Sequence, residues 1–154
     1  IARELAQVKS RLVAAPSYLA RSPAPAQPEE LARHRGLLRR STISGRLMPW
    51  TLRSEAGREV VAGARPVAVL DDPEAIARAA ATGMGVALLP MPHVLPLLES
   101  GELVRVLPDW HADPRQLSIY YSSRKLLPAK VRVFVDHVVD RFRAAGHARR
   151  FAGA

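Results

Sequence analysis

The sequence predicts an α/β fold, and three observations carry that prediction. Short apolar runs bounded by Pro or Gly alternate with helical patterns along the 154 residues, which is how strands and helices layer against each other. Residues 67–90, VAVLDDPEAIARAAATGMGVALLP, read as strand, acidic turn, helix, Gly-x-Gly turn and strand, a βαβ unit. Apolar residues make up 48% of the chain against 24% charged, and no apolar run is long enough to span a membrane.

Taken in order, residues 1–8 are amphipathic and enter as helix or strand, and residues 11–15 (RLVAA) form a short strand ended by Pro16. Residues 17–20 make one helical turn, and the Pro-punctuated stretch 22–28 (SPAPAQP) runs extended over the surface. Pro28 opens a helix with Glu29 and Glu30 in its first turn, Arg33 and Arg35 in its last, and Gly36 as its stop. Residues 37–42 (LLRRST) form the next strand, with Arg39, Arg40, Ser41 and Thr42 toward its carboxyl end. Residues 50–53 and 59–62 flank a turn at 54–57 and make a hairpin.

Residues 67–70 then read as a strand buried on both faces. Asp72 caps the following helix, with Pro73 at its first position and Glu74 in its first turn. Ile76, Ala79, Ala80 and Gly83 fall at i, i+3, i+4 and i+7, a small-residue stripe that lets this helix lie close on a sheet. Residues 86–89 form a second buried strand, stopped by Pro90. Residues 91–100 make a short helix bent or broken by Pro92 and Pro96 and closed by Gly101. A strand at 103–107, a loop at 108–114 and a strand at 117–122 (LSIYYS) follow. Pro128 starts the last helix, which sets Val131, Phe134, Val135, Val138 and Phe142 on one face; Gly146 ends it, and residues 147–154 form a frayed tail.

Composition limits the chemistry. The absence of cysteine excludes disulfides, thiolate nucleophiles and Cys-based zinc sites. A net charge of +9 invites nucleic acid, but the arginines are scattered and aromatics are only 5%, so the charge reads as a solvated basic surface. The five histidines form no HxH or HxxxH pair, and each is expected on a surface or a helix face. There is no Gly-x-Ser-x-Gly elbow, and Gly83-Met84-Gly85 follows a helix instead of opening one, the wrong context for a dinucleotide loop. No catalytic group, metal or cofactor is assigned. Ligands of open α/β sheets meet strand carboxyl ends and helix amino ends. That places Asp71, Asp72, Pro73 and the amides of 73–75 at the edge of a ligand site. Arg39 and Arg40 either hold a carboxylate there or lie exposed at a strand end. Tyr120 and Tyr121 face opposite sides of their strand, so at most one enters a pocket; Ile119 and Tyr121 are its candidates.

In order and spacing, RLVAAPSYL (11–19), PEELARH (28–34), Trp50, LDDPE (70–74), ATGMGVALLP (81–90), GELVRVLPDW (101–110) and PAKVRVFVD (128–136) resemble the effector-binding domain of LysR-type transcriptional regulators. The resemblance covers nearly the whole chain and rests on order, since no single motif decides it. It implies a type II periplasmic-binding-protein-like fold of two α/β lobes joined by two crossing strands, with a small effector between the lobes. On that pattern residues 1–13 hold a first-lobe remnant and the first crossing strand, 14–107 a complete second lobe, 108–150 the return strand and the C-terminal first-lobe helix, and 151–154 a tail. The first lobe is then partial. The winged-helix DNA-binding domain, the linker helix and the opening first-lobe segments are expected upstream of Ile1.

The function so implied is effector sensing by the regulatory domain of a cytoplasmic, non-enzymatic transcription regulator, with ligand binding shifting lobe closure. A small anionic metabolite is the expected effector, DNA the partner of the upstream domain, and a homo-oligomer the expected assembly, with helix 73–82 its candidate edge, although the Ala stripe of that helix reads first as core within the lobe. No membrane partner is expected. Two alternatives stand beside it: a solute-binding protein of the same fold serving transport, and an α/β enzyme acting on small carboxylates.

Overall fold

The computed structural model describes residues 2–121 and 128–153, Asp113 by its backbone alone. The chain divides into two compact units, one of Ser10–Asp113 and one of Ile1–Lys9 with Pro114–Ala154. A single long strand, β1 (Ala2–Ala14), takes in both the amphipathic opening and most of the RLVAA run.

Within the unit Ser10–Asp113, β1 is followed by the helical turn α1 (Pro16–Leu19), a 3-10 helix (Pro28–Arg33) and β2 (Arg35–Arg39). The hairpin β3 (Trp50–Ser54) and β4 (Glu59–Ala62) comes next, then β5 (Arg65–Leu70), α2 (Pro73–Ala81), β6 (Val86–Pro90), α3 (Met91–Ser100) and β7 (Val104–Val106). The strand β8 (Trp110–Tyr120) begins here. The strand order is β4-β3-β8-β1-β6-β2-β5, with β7 also on β1. Strand β2 runs parallel to β5 and β6, while β1 is antiparallel to β6 and β7. Successive side chains leave opposite faces. Val13, Leu37, Ala87 and Leu89 thus join Ile76, Ala80, Val94 and Leu97 of α2 and α3 in one core. Leu12, Ala14 and Val86 join Tyr18, Leu31, Trp50, Leu52 and Trp110 in another.

Several expectations are corrected. Residues 67–70 are not buried on both faces, because β5 is the sheet's outer strand and β2 lies between it and β6. The helix opened by Pro28 is a 3-10 helix that ends at Arg33; Arg35 and Gly36 already belong to β2, where Gly36 permits a register shift. The helix α3 is not broken: Pro92 lies in its first turn, where the missing N–H has no intrahelical partner, and the helix continues through Pro96 to Ser100. The predicted loop 108–114 is strand from Trp110 onward, because Trp110 and His111 pair with Ser54 and Arg53 of β3. The Ala stripe of α2 is core within this unit, as its alternative reading has it: Ile76, Ala77 and Ala80 are buried there.

Two of the histidines expected on a surface or a helix face, His34 and His111, are buried outside the helices. The His111 Nδ1 lies 3.6 Å from Glu55 Oε1. The Tyr18 hydroxyl accepts the Arg35 N–H at 3.0 Å and hydrogen-bonds with His34 Nδ1 at 3.0 Å. Burial pushes the His34 pKa below its ordinary value, against a smaller upward pull from Glu30. The unfolded chain then binds the extra proton below a pH of about 6.5, so the contribution of His34 to stability is full above that pH and falls on acidification. The urea midpoint is expected to drop between pH 7.5 and 5.5, with a shallower drop in His34→Gln. Equal slopes in both proteins would refute the assignment.

In the other unit, Arg3 donates to Asp136 Oδ1 at 2.7 Å and Gln116 Nε2 donates to Glu4 Oε2 at 3.0 Å. Its long helix α4 (Ala129–Ala144) buries Val135 and Val139, while Phe134 is 62% exposed. The expected apolar face therefore turns away from Phe134 by one position. Residues 147–151 are not a frayed end but a helix, α5 (His147–Phe151), and the rings of Phe142, His147 and Phe151 pack with centroids 5.2–5.6 Å apart. Strand β8 ends at Tyr120; Ser122, the last residue of the predicted strand, lies outside the described residues.

Candidate functional site

The parallel strands β2, β5 and β6 of the unit Ser10–Asp113 end along one edge of the sheet. Arg39 is the register partner of Leu70, and the Arg40 N–H donates to the Leu70 carbonyl at 2.7 Å, so both arginines stand beside the Asp71-Asp72-Pro73 turn. Asp71 and Arg40 are exposed, and Arg39 is half-buried. The carboxylate of Asp72 accepts from the Glu74 N–H at 3.1 Å and the Ala75 N–H at 3.2 Å. With Pro73 lacking an N–H, the amino end of α2 is satisfied by its own cap. The donors expected of residues 73–75 are thus engaged within the chain.

The amino end of α3 differs. It opens at the carboxyl end of β6 with Pro90 as its N-cap and no side-chain hydrogen bond. Its partial positive charge therefore faces no capping carboxylate of its own. The two helix starts are linked where His93 Nδ1 comes within 3.7 Å of Glu74 Oε2. Ser10 is paired with Pro90 and places a half-buried residue at the same edge. The sequence reading missed Ser10 and the α3 start. Nothing local marks Ser10, whereas a Pro90-Met91-Pro92 helix entry after a buried strand is a legible signal.

Ile119 and Tyr121 belong to the other unit, both half-buried, one on β8 and one just past it. Arg11, next to Ser10, is buried and donates to the carbonyls of Pro108 at 3.1 Å and Trp110 at 3.4 Å. Burial and then Arg105 lower its pKa, while Glu55 and Asp109 raise it. Among the described residues, no group of three His, Asp or Glu side chains is placed to hold a metal ion, and no helix is long and apolar enough to cross a membrane.

Parallel strands that end together at helix amino ends are the architecture of an α/β ligand-binding domain. Within that class, the chain belongs to the LysR substrate binding domain family, whose model matches residues 1–143. It is 31% identical over 143 residues to an HTH-type transcriptional regulator of Xanthomonas campestris pv. campestris (strain 8004), covering 92% of this chain and 41% of that protein. The regulatory domain of AphB from Vibrio vulnificus superposes with a TM-score of 0.79 at 34% identity, over 92% of this chain and 68% of that one. The full-length Vibrio cholerae virulence activator AphB, a member of the LTTR protein family, gives 0.80 at 34% identity, over 92% of this chain and 48% of that one. The chain spans less than half the length of these two full-length regulators. Its fold is the type II periplasmic-binding-protein-like α/β fold of LysR-type regulatory domains. The family is one of transcription regulators, not a class of enzymes.

Proposed function

We propose that this domain senses a small anionic metabolite at the carboxyl edge of β2, β5 and β6, as the regulatory part of a cytoplasmic DNA-binding protein that catalyses no reaction. In this reading the unit Ser10–Asp113, which contains residues 14–107, is the second lobe, and a winged-helix domain on the same polypeptide contacts DNA as a homo-oligomer. The observation that supports an anion is the set of donors at that edge. Arg39 and Arg40 sit at the end of β2, and the α3 amino end has no side-chain cap. Asp71, Asp72 and Pro73 frame the same edge, with Asp72 held by its own helix. An effector changes DNA binding only through its differential affinity for the conformations the protein populates.

Thermal-shift screening of the chain against small organic acids, amines and sugars tests this reading. Organic acids are expected to raise the melting temperature. Arg39→Gln should weaken the best of them by about tenfold, the scale of one charge-assisted hydrogen bond. Hits confined to amines or sugars, or an unchanged affinity in Arg39→Gln, would overturn it.

A further inference from the structure

We propose that the unit of Ile1–Lys9 with Pro114–Ala154 carries a ligand site of its own, built by α4 and α5, that takes a small phosphate monoester. An open cavity of about 320 Å³ is lined by His137, Val138, Arg141, Phe142 and Ala145 along the end of α4 and by His147 of α5. That volume sits at the low end for small-molecule sites, about 300–1,000 Å³. Three of the six lining side chains carry N–H donors, and no carboxylate is among them.

Residues four apart share a helix face, so His137 and Arg141 form one row on α4 and Val138 and Phe142 the next. The helix stops at Ala144, and Gly146, with φ at 65°, turns the chain. His147 thereby returns onto α4, its ring centroid 5.2 Å from that of Phe142 and its plane stacked on Phe151 at 5.3 Å. Two phenyl rings hold the imidazole, which spares a ligand the cost of ordering it. Its Nδ1 is enclosed and has no hydrogen-bond partner among the described residues. Enclosed polar atoms are nearly always paired, so this one marks the cavity wall as the place for a polar partner.

The donor set selects the occupant. A guanidinium presents paired N–H groups in one plane, and an imidazole keeps one N–H donor even when neutral. A phosphate monoester brings three terminal oxygens and a charge of about −1.5 to −2 at neutral pH, enough to meet Arg141 and both imidazoles at once. Val138 and Phe142 give its ester group an apolar floor. Of the two acids on α4, Asp136 accepts from Arg3 and Asp140 is exposed, and neither lines the cavity. Residues 141–154 hold four arginines and no Asp or Glu, so the local field favours a dianion.

Histidine ring resonances, assigned from His137→Gln and His147→Gln, make the test site-specific. Butyl phosphate titrated into the chain at constant ionic strength, which holds general screening fixed, is expected to shift His137 and His147 saturably. His93, beside Glu74 at the sheet edge, should stay in place. Butyrate at the same concentrations should move neither ring, and inorganic phosphate, which has no ester group, should move both with lower affinity. Arg141 is exposed, so Arg141→Gln keeps the fold; it should weaken butyl phosphate by about tenfold, as loss of a charge-assisted pair does, and Arg141→Lys should lose less. The proposal is overturned by no saturable shift at His147, by unchanged affinity in Arg141→Gln, by equal shifts with butyrate, or by inorganic phosphate binding as tightly as butyl phosphate. A shift at His93 alone also overturns it, while supporting an anion at the sheet edge.

Discussion

Val86→Asp is expected to abolish the fold of the unit Ser10–Asp113. Val86 is fully buried on β6 and packs with Leu12, Trp50 and Val106 on one face of the sheet. A carboxylate placed there loses its hydration among the apolar side chains of that core. Leaving an uncompensated charge in a core costs about 3–5 kcal/mol, and the lost apolar packing adds about 1–3 kcal/mol. Their sum is comparable with the whole stability of a domain, about 5–15 kcal/mol. Val86→Ala removes only the packing and should leave a folded, weakened protein. Phe134→Asp in α4 alters a side chain that is 62% exposed, and should stay within about 0.5 kcal/mol of the parent. Urea unfolding followed by circular dichroism reads all three. A cooperative transition in Val86→Asp near the parent midpoint would mean that the buried register of β6 is wrong.

The contrast between Val86 and Phe134 also marks what was legible in the sequence. A strand bounded by Gly85 and Pro90 and a helix capped by Asp72 are set by neighbours in the chain, and both stand where local chemistry puts them. The hairpin of β3 and β4 is equally local. Whether 67–70 is a central or an outer strand is not local, because β2 separates it from β6 and comes from earlier in the chain. On α4 the apolar residues span more than one face, so spacing alone could not choose Val139 over Phe134. His34 is buried by Tyr18, sixteen residues away, a contact that no window of periodicity contains. At the candidate site, Asp71, Arg39 and Arg40 came from the rule that strands end together, and β2 and β5 do. Ser10 reaches that edge only through antiparallel pairing with β6, which the sequence does not spell out.

Two glycines on facing strands should respond to the same substitution in opposite ways once a second change is made. Gly36 is on β2, where a Cβ would come within 2.6 Å of the Ala64 Cβ, with Leu38 Cδ2 at 3.4 Å and Trp50 Cη2 at 3.5 Å. Gly85 precedes β6, where a Cβ would fall against the carbonyl oxygen of Arg35, with the carbonyl carbon at 3.0 Å. In the first case the obstacle is one methyl group; in the second it is the backbone of β2. Gly36→Ala should therefore cost about 1–3 kcal/mol, as overpacking does. Ala64→Gly alone should cost about 0.5–1 kcal/mol through added chain freedom. The two together should be more stable than their sum predicts, because the second change removes the atom the first one strikes. Gly85→Ala should cost more than Gly36→Ala, and no side-chain truncation at Arg35 should recover it, since the carbonyl remains. Denaturant midpoints of the single and paired variants decide the matter: additive losses at Gly36 and Ala64, or rescue of Gly85→Ala by Arg35→Ala, would show that β2 does not lie as close to its neighbours as these contacts require.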